Sequence, residues 1–132
     1  MKTCWVFFLM VVVTIGMVPV FAGQTPGAVP KYNPSIEAVF KGIVVDVVDR
    51  QCPVSGGMGS HVVLKLEDGS TIEVHLASTK FVKSYDLVFS KGDKIEVTGS
   101  KVKFEGVDTI FAREVKRGED TFVFREKDGK PV

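Results

Sequence analysis

From Ile36 onward, apolar and polar positions alternate with a period of two, and short polar turns break the pattern at regular intervals. Ile36 to Val48 is long, β-branched and interrupted by Gly42, the pattern of a strand that bends or bulges to serve two neighbours. Asp49 to Ser60 holds Pro53, Gly56, Gly57 and Gly59 and reads as a flexible loop. A hairpin follows, in which His61 to Leu66 and Ser70 to Leu76 flank a Glu67-Asp68-Gly69 turn. Val62, Leu64 and Leu66 then share one face with Ile72, Val74 and Leu76. Ser78 is placed to cap a helix of about two turns, with Phe81, Val82 and Tyr85 on its inner side. Lys94 to Phe104, Val107 to Lys116 and Thr121 to Arg125 complete the predicted strands, and Lys127 to Val132 is a polar tail.

The chain before Ile36 is different. Lys2 precedes an apolar run from Trp5 to Val18, and Val20-Phe21-Ala22 supplies a cleavage site, so residues 1–22 read as a secretory signal peptide. An uncleaved signal acting as a membrane anchor is the rival reading. Residues 23–34, with Pro26, Gly27, Pro30 and Pro34, read as an extended, weakly ordered arm ahead of a single domain over 35–126. The expected location is therefore the periplasm or the medium. Cys52 is the only cysteine outside the signal, so no internal disulfide holds the domain.

A glycine-broken first strand, a helix between the third and fourth strands, and the run Gly92-Asp93-Lys94-Ile95-Glu96-Val97-Thr98-Gly99 together resemble the OB-fold. In style the chain is similar to small exported bacterial OB-fold proteins, mostly of unassigned function. The resemblance spans Ile36 to Lys116 and implies an all-β, five-stranded barrel with one short helix. Periplasmic haem chaperones share that barrel and attach haem through a histidine in a C-terminal motif. Phe124 to Pro131 contains no histidine, so that activity is not implied.

Charge narrows the function classes. The net charge is +1, and without Lys2 the basic and acidic residues balance, which argues against a nucleic-acid backbone as partner. Ser55-Gly56-Gly57-Met58-Gly59-Ser60 lacks the helix and lysine of a phosphate loop. No nucleophile, base and orienting acid are grouped, so the chain does not read as an enzyme.

The histidines carry the one chemical signal. A three-residue turn with Gly69 in the left-handed position pairs Leu64 with Ile72 and Val62 with Val74. The same register sets His61 opposite His75 on the outer face, within reach of one transition metal. A slip of one residue would place core residues against Glu73 or Thr71. On an outer face, both rings are expected to be solvated. A third ligand is available from Cys52 or Met58 on the preceding loop, a soft set suited to copper, with zinc as the alternative.

The sequence therefore predicts a non-enzymatic binding module that uses the outer face of its second and third strands and the glycine-rich loop. The alternatives are a metal-binding or metal-carrying protein using His61, His75 and Cys52, and an accessory subunit of an envelope complex.

Overall fold

A computed structural model describes residues 29–132 of the chain. The signal segment and the start of the arm lie outside the described residues. The described chain is all-β, with β1 (Glu37–Cys52), β2 (Gly57–Leu66), β3 (Thr71–Ser78), α1 (Thr79–Ser84), β4 (Lys94–Phe104), β5 (Val107–Arg117) and β6 (Asp120–Val123). One sheet orders these strands β3-β2-β1-β4-β5-β6, and a further parallel pairing joins β3 to β5. The sheet holds six strands where the resemblance implied a five-stranded barrel: the last predicted strand, here Asp120–Val123 in place of Thr121 to Arg125, joins it by pairing antiparallel with β5. No helix among the described residues is long and apolar enough to cross a membrane.

β1 is long because it has two partners in succession. Residues from Glu37 to Ile43 pair with β4, and residues from Gly42 to Cys52 pair with β2. Gly42 sits where the two ladders overlap, and a Cβ there would lie 2.2 Å from the Lys65 carbonyl oxygen. Glycine is what lets the strands approach at the handover. The bulge itself falls slightly later, between Val44 and Asp46.

The Asp49–Ser60 segment is not the flexible loop its glycines suggested. β1 runs on to Cys52, a tight turn spans Pro53 to Gly56, and β2 begins at Gly57, with Arg50 opposite Gly59 and Gln51 opposite Met58. Backbone pairing asks nothing of side chains, so a glycine-rich stretch can extend a ribbon when its partner strand supplies the ladder.

Between β2 and β3 the register is the expected one: Leu64 opposite Ile72, Val62 opposite Val74 and His61 opposite His75, with Gly69 at φ 84° in the turn. Val62, Leu64, Ile72, Val74 and Leu76 are buried with Val44, Ile95, Val97, Ile110 and Val115, while Leu66 is only partly buried. Ser78 caps α1 by accepting from the Phe81 amide. Val82 faces the core, but Tyr85 is exposed rather than inward-facing, because α1 ends at Ser84 and Tyr85 lies past its last turn. Phe124 joins the core.

The segments flanking the sheet are docked. Ser100 Oγ receives a hydrogen bond from the Asn33 amide and donates to its carbonyl. The tail turns back on itself, with the Glu126 amide bonded to Lys130 O and the Val132 amide to Phe124 O.

Candidate metal centre

Three neighbouring strands each bring one donor to the same place. Cys52 ends β1, His61 lies in β2, and His75 lies in β3. Their ligand atoms all fall within 4.8 Å of one another. His61 Nε2 is 2.9 Å from His75 Nδ1, and Cys52 Sγ is 3.5 Å from the same Nδ1. Met58, the other sulfur candidate, is paired with Gln51 at the start of β2, 43% exposed, and does not line the cavity beside the cluster.

The two rings are not solvated. His61 and His75 are 4% and 2% exposed, which overturns the expectation from the outer face. Strand alternation describes only the two faces of one sheet. Here the β3–β5 pairing sets Phe111 beside His75, with ring centres 5.5 Å apart, and the curl of the β1–β2 ribbon lays Cys52 and Ser55 over the rings.

Proton positions follow from what each partner can do. The Glu73 carboxylate only accepts, so His61 Nδ1–H donates to it and leaves Nε2 with its lone pair. Glu73 is held in turn by Arg50 at 2.8 Å. In the metal-free protein, His75 Nδ1–H donates to His61 Nε2, and Ser55 Oγ, 3.3 Å from His75 Nε2, donates to that nitrogen. Burial, then the neighbouring His61 and Arg125, hold the His75 pKa down at about 3. The ring is therefore neutral and able to offer a lone pair across the neutral range.

Space for an ion is also present. Gly59 faces the cluster, and a Cβ there would come 3.0 Å from both His61 Nε2 and Cys52 Cβ and 2.9 Å from Ser55 Oγ. The missing side chain leaves a cradle between the donors. Bonds of about 2.0 Å to nitrogen and 2.3 Å to sulfur in a tetrahedral site put ligand atoms about 3.3 to 3.6 Å apart. Two of the three separations, 2.9 and 3.5 Å, lie near that spacing and the third is within 4.8 Å, so the donor set fits a soft transition ion after a small adjustment. A cavity of about 170 Å³ adjoins it, bordered by all three donors and by Arg50, Glu73 and Phe111.

A family model for the MamS/MamX magnetosome protein family matches residues 37–122. The chain belongs to that family. The match runs from the first residue of β1 into β6 and includes all three donors. No curated protein matches the sequence.

The sequence pointed to the three residues that the structure brings together, with Met58 as an alternative to Cys52, but not to their supports. Glu73 was legible, since it lies two residues before His75 on the same face of β3. Ser55 and Arg125 were not, because turn and tail geometry bring them to the ring.

Proposed function

We propose that this member of the MamS/MamX family is a non-enzymatic, exported binding module whose ligand is a soft transition ion, copper or zinc, held by Cys52, His61 and His75. The observation that carries the reading is the convergence of two buried imidazoles and a buried thiol around the Gly59 cradle. Thiolate and imidazole together favour copper and zinc over magnesium or calcium. Glu73 orients His61 as an outer carboxylate does for metal-bound histidines, and Ser55 takes the matching role for His75. Binding would require Cys52 to lose its proton and His75 to carry its proton on Nε2, facing Ser55. The β1-to-β5 ring suggested by the β3–β5 pairing supports an OB-type barrel as the scaffold. The magnetosome family supports a role at that cell structure.

Isothermal titration of tag-free, chelator-treated protein with copper and with zinc tests the reading. One ion per chain is expected for the wild type. His61→Ala, His75→Ala and Cys52→Ser should each weaken binding at least about tenfold, and Gly59→Ala should weaken it without removing a donor. Absence of binding heat, or equal affinity in the double histidine variant, would refute the site.

A further inference from the structure

His75 also lines another cavity, of about 160 Å³, together with Ser55, whose Oγ is 3.3 Å from His75 Nε2, and with Phe81, Phe124, Arg125 and Val132. The arginine is the unusual member. The chain has four arginines. Arg50, Arg113 and Arg117 are partly exposed, and each pairs with a carboxylate. Arg125 is the most buried, at 8% exposure, yet among the described residues no carboxylate pairs with it.

What Arg125 does have is incomplete. One terminal nitrogen donates to Gly129 O at 2.9 Å, and the guanidinium lies 5.8 Å from the ring centres of Tyr32 and Phe111. Its Nε is buried with no hydrogen-bond partner. Aromatic faces offset part of the cost of burying a cation, but an unpaired charge and an orphaned donor remain. A guanidinium is a forked donor suited to carboxylate and phosphate-type oxygens.

We infer that this cavity is a binding site for a small oxyanion, with Arg125 as its charge partner and the Ser55 hydroxyl as a polar contact, joined by His75 Nε2–H when a metal takes Nδ1. The anion supplies the missing counter-charge. The apolar walls from Phe81 and Phe124 exclude water and limit the ligand to the size of sulfate, phosphate or a short carboxylate.

The site stands apart from the metal reading and is tested on chelator-treated protein. Thermal unfolding and isothermal titration would use sulfate, inorganic phosphate and acetate, with chloride matched for ionic strength. A saturable rise in unfolding temperature is expected with at least one oxyanion and not with chloride. Ser55→Ala, a change in a half-buried turn, should fold normally and weaken binding about tenfold. Arg125→Met should abolish it. If Arg125→Met does not fold, the Ser55 variant decides. A shift that follows ionic strength alone, or one unchanged in Ser55→Ala, would overturn the inference.

Discussion

At the scale of residues, the site shows which chemistry a sequence displays and which it hides. His61 and His75 could be placed opposite each other because strand periodicity and the Gly69 turn fix their register. Their burial could not be read, because what covers them comes from β5 and from the turn after β1. Tyr32 gives a related case, hidden in the arm. Its hydroxyl donates to Glu37 Oε2 at 2.5 Å, and Arg113 grips the same carboxylate with two bonds of 2.9 Å. Burial, then the bond and charge of Glu37, push its pKa up to about 12 from an ordinary value of 10.0. The folded state thus keeps the phenol neutral where the unfolded chain ionises it. Below pH 10 that preference is fully present, and it is lost as pH rises from there through about 12. With only two tyrosines in the chain, an ultraviolet absorbance titration should show one phenolate appearing near 12. Tyr32→Phe should delete that step, and a single step at the ordinary value in the wild type would contradict the docked arm.

At the scale of elements, alternation and turn chemistry made the β2–β3 hairpin, the Ser78 cap and the strand positions legible, since each depends on neighbours in sequence. The β1–β2 ribbon was misread because its glycines answer to tertiary contact. Gly59 is small to leave room for His61, Cys52 and Ser55, and Gly42 is small to let Lys65 O approach. Gly42→Val should therefore destabilise the fold by about 2 kcal/mol or more, since a Cβ at 2.2 Å forces the strands apart. Gly57→Ala is the matched comparison, having nothing within 4 Å of its would-be Cβ. Urea unfolding should separate the two variants clearly. Equal midpoints would mean that β1 does not pass from one ladder to the other at Gly42.

At the scale of the whole molecule, His75 lines both cavities. An oxyanion against Nε2 would hold the proton on that nitrogen and leave Nδ1 free to face Cys52 and His61. It would also place negative charge near the cation. Both effects favour metal binding, so the two ligands should assist each other. Coupling between sites is commonly 1–3 kcal/mol, and here about tenfold in affinity is expected. Zinc titrations with and without saturating sulfate, a weak zinc ligand in solution, measure the effect from one side. Sulfate titrations of metal-free and zinc-loaded protein measure it from the other, and linkage requires the same factor. Ser55→Ala should bind zinc more weakly, and with the same affinity whether or not sulfate is present. Identical zinc affinity with and without sulfate would show that the ring does not connect the two sites. An enhancement that survives in Arg125→Met would show that sulfate acts somewhere other than the Arg125 cavity.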